Sequence, residues 1–359
     1  MIISRTPFRI SFFGGGTDYP DWYREHGGAV LATTIDKYCY LTCRHLPPFF
    51  EHKYRIVYSK IENCHSVDEI QHGAVRAIIK YLNCERGLEI HHDGDLPARS
   101  GMGSSSSFTV GLLHALHALQ GRMPAKAELA RQGIMIEQDH LKETVGSQDQ
   151  VLAAHGGFNH VSFLPNGEIN LRPITLAAER LDELCDHLML FYTGIKRTAS
   201  NVADSYVRKL EDRKRELRIL RELVEEALAV LSQGRDILAF GHLLHEAWQT
   251  KRGLSSLVSN SQVDEAYAAA REAGALGGKL TGAGGGGFML LFAPPADQPR
   301  IIETLRGMIH VPFHFEFSGS QIIHYDQERD YAAAERLRQE QPPIVFHELM
   351  DCEPKAAVA

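Results

Sequence analysis

The chain has 359 residues, of which 44% are hydrophobic, and a formal net charge of −7 at pH 7. A chain of this length buries a substantial core and commonly forms two domains. Its negative charge excludes a global basic field that would attract nucleic acid or acidic membranes. The six cysteines form no C-x-x-C pair, and no apolar run resembles a leader or a membrane span. We therefore expect a soluble cytoplasmic protein with reduced thiols and with neither a nucleic-acid nor a membrane partner.

The N-terminal part of the sequence alternates strand patterns with glycine turns. Residues 2–13 alternate polar and apolar side chains and predict a strand that Pro7 breaks. Gly14-Gly15-Gly16-Thr17-Asp18 follow, and three consecutive glycines indicate a sharp bend or a space that must stay free of side chains. Strands are predicted next at 29–44, 54–58 and 88–92, with helical periodicity over 67–82.

The stretch D-L-P-A-R-S-G-M-G-S-S-S-S-F at 95–108 is the part of the chain best suited to binding a ligand. Gly101 and Gly103 allow a tight turn and the close approach of another group. The four serines that follow precede an apolar pattern at helical spacing, which predicts a helix with a serine N-cap. The start of a helix binds anions through its free N–H groups. A plain glycine turn with a serine cap is the alternative.

The middle of the sequence predicts two short helices that each carry a carboxylate. The first begins near Pro124 and carries Glu137, and the second opens at Gln148-Asp149-Gln150. The pattern changes near 175–185, which indicates a domain boundary. The other predicted elements are strands at 158–164, 169–174, 186–192, 288–292 and 311–317, helices at 201–231, 237–249 and 263–273, a helix from residue 300 and a loosely attached end.

A second glycine-rich run occupies residues 277–287. Gly282, Gly284 and Gly287 match the dinucleotide-binding fingerprint, but a strand pattern rather than a helix follows them. No G-K-[ST] follows any glycine run, so a Walker A loop is also excluded. What remains is a loop almost free of side chains, which lets a second loop or a ligand approach its backbone.

Three stretches together resemble the GHMP small-molecule kinases. R-I-S-F-F-G-G-G-T-D at 9–18 matches the family's first motif, 97–105 matches its P-x-x-x-G-[LM]-G-S-S loop, and 279–287 matches its K-x-T-G-A-G-G-G-G motif. The resemblance implies an α+β fold of two domains with ATP and Mg²⁺ in the cleft between them. The N-terminal domain (1–180) would be ribosomal S5 domain 2-like and the C-terminal domain (181–335) ferredoxin-like, followed by a tail (336–359).

The resemblance also implies roles for individual residues. Asp149 is the candidate base, and Arg9 would stabilise charge on the attacking oxygen and the γ-phosphoryl group. Whether Asp149 removes the proton or only orients the nucleophile stays open. Ser105 and Glu137 would ligate Mg²⁺. For Glu137 and Asp149, the alternative is a plain surface carboxylate.

The ligand-binding residues that the resemblance implies fall into two groups. The ATP phosphates would bind at Gly101, Gly103, Ser104, Ser105, Ser106 and Ser107. The acceptor would bind at Gly15, Gly16, Thr17, Asp18, Gly284, Gly285, Lys196 and Arg197.

The glycine-rich first motif and the segment T-G-I-K-R-T-A-S at 193–200 are similar to the heptose 7-phosphate kinases, which phosphorylate the anomeric oxygen of a sugar. The expected substrate is therefore D-glycero-D-manno-heptose 7-phosphate, whose existing phosphate Lys196 and Arg197 would bind. Those two residues could instead be solvated cations. Two other functions stay open: a kinase of an unphosphorylated sugar (galactose, fucose or a uronic acid), and a non-catalytic sugar or nucleotide sensor. The sequence leaves open whether the protein is a monomer or a dimer.

Overall fold

The computed structural model describes residues 1–46, 50–195 and 210–326, together with residues 202, 203, 205, 207 and 337. The predicted acceptor-binding residues Lys196 and Arg197 lie outside the described residues. So does the predicted tail, apart from Leu337.

The described residues form thirteen strands and ten α-helices, with a π-helix and two 3₁₀ turns. The strands are β1 (Ile2–Phe13), β2 (Gly28–His45), β3 (Tyr54–Val57), β4 (Ile61–Cys64), β5 (Leu88–Gly94), β6 (Phe158–Phe163), β7 (Ile169–Pro173), β8 (Leu188–Tyr192), β9 (Gly277–Leu280), β10 (Phe288–Phe292), β11 (Ile309–His310), β12 (Phe315–Glu316) and β13 (Gln321–Tyr325). The helices are α1 (Pro20–His26), α2 (Gly73–Tyr81), α3 (Ser104–Leu119), α4 (Lys126–Met135), α5 (Gln148–His155), α6 (Ala178–Asp186), α7 (Lys214–Ser232), α8 (Leu238–Arg252), α9 (Ser261–Glu272) and α10 (Gln298–Thr304). The π-helix is Ile136–His140, and the 3₁₀ turns are Val67–Glu69 and Leu210–Arg213.

The first sheet has nine strands and is built around the long strand β2. The order along its main path is β13-β1-β2-β5-β3-β4, while β6 and β12 also pair with β2, and β7 pairs with β6. Every pair is antiparallel except β3 with β5. Pro7 does not break β1, contrary to the sequence prediction. The strand runs through Pro7 and absorbs it as a register shift between Pro7 and Phe8.

The second sheet holds four antiparallel strands in the order β11-β8-β10-β9. Numbered within this sheet, the order is fourth, first, third, second, as in a ferredoxin-like domain. The sequence did not predict β9, because its two leading glycines obscure the strand pattern. It also missed β4, β13 and α6, which occupies the predicted domain boundary. Within the predicted helix 201–231, the residues from Lys214 onward belong to α7 and a 3₁₀ turn precedes it, while the described residues before that turn (202, 203, 205 and 207) are helical.

The chain returns to the first sheet after β11. The predicted strand 311–317 is wrong as a single element, because the Val311 N–H donates to the Leu190 carbonyl of β8 in the second sheet, whereas Phe315 and Glu316 pair with β2 in the first. The next strand, β13, covers the outer edge of β1. The predicted segment 181–335 therefore contains strands of both sheets, and β13 pairs with an edge of β1 that would otherwise expose unpaired backbone groups.

An aromatic cluster joins the two halves of the molecule, which are the part built on the nine-stranded sheet (the first half) and the part built on the four-stranded sheet (the second half). The ring of Phe240 on α8 lies 5.6 Å from that of Phe12 and 5.1 Å from that of Phe13, both at the end of β1. It also lies 5.9 Å from the ring of Phe292 on β10. All four side chains are fully buried. Edge-to-face contacts of this kind add to the free energy of burial, so the cluster holds the end of β1 against the second half.

The described part of the chain includes no helix both long and apolar enough to cross a membrane.

The two later glycine-rich stretches touch through their backbones. A Cβ atom placed on Gly282 would lie 2.7 Å from the Cα atom of Gly101, and the φ angle of Gly282 is +64°. Gly234 has nearly the same φ angle, +65°, but a Cβ atom there would meet nothing within 4 Å. Gly234 is therefore a matched control for the effect of φ alone.

We predict that Gly282→Ala destabilises the fold more than Gly234→Ala. The left-handed backbone should cost each variant about 1 kcal/mol. The clash with Gly101 should cost Gly282→Ala about 1–3 kcal/mol more. Urea unfolding of both variants and the wild type measures the difference, and equal losses would show that the two loops do not touch.

Candidate active site

A cavity of about 300 Å³ opens where the three glycine-rich stretches meet. Its walls come from β1 and the glycine loop after it, from the loops that precede α3 and α5, and from the end of α8. The end of β9 and the loop after it complete the walls. Residues of both halves of the molecule therefore face the same space. The sequence-predicted residues that line it are Arg9, Gly15, Gly16, Asp18, Gly101, Gly103, Ser104, Ser105 and Asp149.

The centre of the cavity is an ion pair between Arg9 on β1 and Asp149 in the first turn of α5. Arg9 Nε donates to Asp149 Oδ1 at 2.7 Å, and Nη2 donates to Oδ2 at 2.7 Å. The remaining Nη1 donates to the carbonyl oxygen of Gly101 at 2.6 Å. The bidentate geometry fixes the plane of the carboxylate. The Asp149 side chain is 22% exposed, against 6% for Arg9, so the carboxylate is the more exposed of the two groups in this cavity.

The serines of the predicted phosphate-binding loop (residues 101–107) face two different directions. The N-cap of α3 is Gly103, with φ 75°, and not a serine as predicted; its N-terminus has no side-chain cap in the described structure. The N–H groups of its first turn therefore suit an anion. Ser106 and Ser107 are buried and do not line the cavity, so their hydroxyl groups do not face a ligand there, and the Ser107 N–H donates to the Gly103 carbonyl within the helix. Ser106 Oγ donates to Glu137 and Ser107 Oγ donates to the Pro7 carbonyl, both at 2.8 Å.

Glu137 lies on the π-helix that extends α4, a backbone form often found at functional sites. Its Oε2 accepts hydrogen bonds from Ser106 Oγ and Gln150 Nε2. These donors are the chain neighbours of Ser105 and Asp149, so the three predicted site residues belong to one connected cluster. Burial raises the pKa of Glu137 to about 7.

The predicted metal ligands are arranged differently from the expectation. The serine bonded to Glu137 is Ser106, whereas Ser105 is exposed and lines the cavity. The other oxygen of Glu137, Oε1, is buried and has no hydrogen-bond partner among the described residues. A free carboxylate oxygen beside the predicted phosphate-binding loop fits Mg²⁺, which usually takes one or two carboxylates and completes its shell with phosphate oxygens and water.

Asp18 connects the first glycine loop to the start of α5 through hydrogen bonds. Its Oδ1 accepts from the Gly16 N–H at 3.0 Å, and its Oδ2 accepts from Gln148 Nε2 at 2.9 Å. Burial raises the pKa of Asp18. Thr17, predicted to bind the acceptor, is fully buried, and its hydroxyl donates to the Gly14 carbonyl at 2.8 Å. That prediction is corrected, because the hydroxyl stabilises the turn.

The predicted acceptor-binding glycines also divide into two kinds. Gly15 and Gly16 line the cavity. Gly284 and Gly285 do not: the Gly285 N–H donates to the Val258 carbonyl at 2.8 Å, and a Cβ atom on Gly284 would lie 2.5 Å from the same oxygen. The residues of the third motif that line the cavity are instead Lys279, Gly282 and Ala283.

Two uncharged polar residues that the sequence reasoning missed lie beside Gly15. Ser11 Oγ and Gln148 Oε1 are buried with no hydrogen-bond partner among the residues that the structure describes, and both residues line the cavity. Ser11 could have been found, because it lies two residues after Arg9 on a strand and so shares its face. No sequence signal marks Gln148.

Two buried lysines were also missed as cavity residues. Lys279 Nζ donates to the Ser11 and Phe12 carbonyls at 2.8 and 2.9 Å, and burial holds its pKa well below the ordinary value. Lys251, in the last turn of α8, donates to the Gly282 carbonyl. Burial, followed by the charge of Arg9, lowers the pKa of Lys251 to about 8. Lys279 lies in the third motif, whereas Lys251 looks in the sequence like an ordinary cation at a helix end.

Comparison with known proteins gives consistent matches. The model of the GHMP kinases N terminal domain matches residues 69–157, and that of the GHMP kinases C terminal domain matches residues 211–310. Together they cover more than half of the chain. The D-glycero-alpha-D-manno-heptose 7-phosphate kinase of Campylobacter jejuni is 28% identical over 316 residues, which are 85% of this chain and 93% of the relative. A galactokinase of a Roseiflexus species is 25% identical, over 87% of this chain and 88% of the relative.

A solved structure shares the fold. The crystal structure of a D-glycero-D-manno-heptose 1-phosphate kinase from Bacteroides thetaiotaomicron matches with a TM-score of 0.73 and 24% identity. The match covers 90% of this chain and 99% of that one. The two-domain α+β fold predicted from the sequence is confirmed.

We predict that Glu137→Gln changes how stability depends on pH. The carboxyl keeps its proton in the folded state up to about pH 7, while the unfolded chain loses it near pH 4.5. The wild type should therefore lose stability as pH rises between these values. The glutamine does not titrate, so the variant should gain about 3 kcal/mol relative to the wild type over this range.

Urea unfolding without Mg²⁺, at pH values below and above this range, measures the effect. The exposed Glu265→Gln gives the baseline. A wild-type to variant difference independent of pH would contradict the burial of an acid at residue 137.

Proposed function

This chain belongs to the GHMP kinase family, and we propose that it transfers the γ-phosphoryl group of ATP to the anomeric hydroxyl of D-glycero-D-manno-heptose 7-phosphate. Its relatives are phosphotransferases with an alcohol acceptor, and the kinases of this family use ATP as the phosphoryl donor. The observation that carries the proposal is the Arg9–Asp149 pair, which faces a cavity beside the uncapped start of α3.

The triphosphate of ATP would bind at the start of α3. Gly101 and Gly103 carry no side chains there, and Ser104 and Ser105 line the cavity. Backbone N–H groups and the helix dipole would hold the phosphate oxygens. Mg²⁺ would be held by Glu137 through Oε1, together with Ser105, and would neutralise charge on the phosphates.

Asp149 would act on the acceptor hydroxyl. Its oxygens are already oriented by Arg9, so little reorganisation is needed when the sugar binds. A hydroxyl that donates to this carboxylate is held in place for attack on the γ-phosphoryl group. Arg9 also donates to Gly101, so its charge lies between the acceptor and the phosphate-binding loop.

The acceptor would occupy the space above Gly15. A Cβ atom on Gly15 would lie 3.7 Å from Ser11 Oγ and 3.8 Å from Gln148 Nε2, so the missing side chain leaves room between two polar groups. Ser11 Oγ and Gln148 Oε1 have no other partner, and buried polar atoms need one. Sugar hydroxyls supply donors and acceptors of the right kind.

A heptose 7-phosphate is the acceptor best supported within this class. The Campylobacter jejuni relative carries this substrate in its name and aligns over 93% of its own length. The cationic side chain of Arg99 lines the cavity and is exposed, as a site for a second phosphate requires.

We predict a strong preference for the phosphorylated heptose. With ATP and Mg²⁺, heptose 7-phosphate should give a kcat/KM at least about 100-fold above those for the unphosphorylated heptose, galactose and fucose, since a charged contact is worth about two powers of ten. Coupled ADP release measures the rates, and ³¹P NMR identifies phosphate on the anomeric carbon. Equal kcat/KM values with and without the 7-phosphate would exclude heptose 7-phosphate as the preferred acceptor.

We predict that Asp149→Asn lowers kcat by about 10²–10⁴-fold, because an amide cannot accept the hydroxyl proton. The affinity for ATP, measured by calorimetry, should stay within a few-fold, since Asp149 lies on the acceptor side of Arg9. Asp139→Asn, an exposed aspartate on the π-helix, is the control and should keep wild-type kinetics. A sensor without catalytic activity would show no turnover in the wild type itself.

A further inference from the structure

We propose that Lys251 is a catalytic residue whose ammonium group binds the phosphoryl group as it is transferred. This inference rests on the proposed kinase function and adds to the site a charge that comes from the second half of the molecule.

Lys251 occupies an unusual position for a lysine. It lies in the last turn of α8 and is only 5% exposed, yet it lines the cavity. The neighbouring Arg252 shows the ordinary arrangement, because its guanidinium pairs with Asp264 at 2.8 Å. Lysine is seldom buried unless paired, so a particular interaction is needed to hold Lys251 in this place.

The ammonium group of Lys251 has more donors than the described part of the chain satisfies. It has three N–H bonds, and its one hydrogen bond to described residues goes to the carbonyl oxygen of Gly282. None of the described carboxylates forms an ion pair with it. Two donors are therefore left for a ligand, and an anionic ligand would offset the cost of burying the charge.

The surroundings of Lys251 indicate which anion this is. The charges of Arg9, Asp18 and Asp149 all act on its ammonium group. Its hydrogen-bond acceptor, Gly282, is in backbone contact with Gly101 of the phosphate-binding loop. Lys251 therefore shares one cavity with the loop where the ATP phosphates would bind and with the pair that would hold the acceptor hydroxyl. The group that passes between these two places is the γ-phosphoryl group.

The chemistry of the step needs a cation at this point. The bond from the γ-phosphorus to the β–γ bridging oxygen breaks, and its electron pair leaves with ADP. A bond forms between the anomeric oxygen and the phosphorus, and the hydroxyl proton passes to Asp149. Lys251 keeps its three protons throughout and donates hydrogen bonds to the oxygens of the phosphoryl group, where negative charge is concentrated.

Lys279, the other buried lysine of the cavity, is placed for a different task. Its ammonium donates to two carbonyl groups of β1, which leaves one N–H bond at most for any ligand. It ties β9 to the end of β1 at the register shift between Ser11 and Phe13. This contrast separates a lysine that holds the two halves together from one that has donors to spare.

The test is Lys251→Met, which removes the charge and keeps an unbranched side chain of similar length. We expect kcat to fall about 100-fold or more. We also expect the affinity for the β,γ-imido analogue of ATP to fall about tenfold while the affinity for ADP stays within twofold, because ADP lacks the γ-phosphoryl group. Calorimetry measures both affinities without any turnover.

Two further variants make the result decisive. Lys251→Gln keeps an N–H donor for the Gly282 carbonyl but carries no charge, so it should show the same losses even if the methionine variant folds poorly. Arg252→Met removes a cation from the same helical turn and should keep wild-type kinetics within about twofold, given that its pair lies outside the cavity.

Three results would overturn the proposal. Retention of kcat by both Lys251 variants would exclude a catalytic contact. An equal loss of affinity for ADP and for the imido analogue would show that Lys251 supports the fold of the nucleotide site. A raised KM for heptose 7-phosphate with an unchanged kcat would assign Lys251 to the phosphate that the acceptor already carries. If the wild type phosphorylates no sugar, the proposed function fails, whereas the two calorimetric affinities still test Lys251.

Discussion

The close contact between two glycine-rich backbones fixes the position of every group in the cavity. A Cβ atom on Gly101 would lie 2.6 Å from the carbonyl oxygen of Thr281, so no side chain fits between the two loops. One loop belongs to the first half of the molecule and the other to the second, and backbone atoms therefore set the distance between the halves. Arg9 is anchored to one loop through Gly101 and Lys251 to the other through Gly282. Both cations reach the same space because these two carbonyl groups are neighbours.

This arrangement concentrates buried charge, which opposes folding. Glu137 and Lys251 both have pKa values that burial shifts toward the neutral form, to about 7 and about 8. Such groups are retained where their charge is used, because dipoles and ions that are already oriented stabilise a reaction without reorganisation. Burial of Phe12, Phe13 and Phe240, whose rings pack against each other, contributes free energy that offsets such a cost. The aromatic side chains that join the halves are therefore different residues from the charged ones that line the cavity.

Much of the architecture follows from the sequence, but the direction of individual side chains does not. The strand and helix patterns locate most of the elements, and the structure brings the three glycine-rich stretches to one cavity. Four consecutive serines turn by about 100° per residue on a helix, so Ser105 faces the cavity while Ser106 faces Glu137, and no motif distinguishes them. The β13 strand crosses back to the first sheet to cover an edge of β1 that exists only once the sheet has formed. Lys251 lines the cavity because tertiary packing buries the end of its helix. The local sequence pattern around Lys251 does not predict this packing.

The three glycines at positions 14–16 have three different physical roles. A Cβ atom on Gly14 would collide with the Ala29 carbonyl, so the packing of two strands excludes every other residue there. Gly16 has a φ angle of +110°, which side chains rarely tolerate. Gly15 has no such φ angle, and a Cβ atom there would make only ordinary contacts. The fold demands the first and third glycines, whereas the second keeps open the space between Ser11 and Gln148. Gly15 is therefore the position in this run at which a side chain could narrow the cavity without rebuilding the loop.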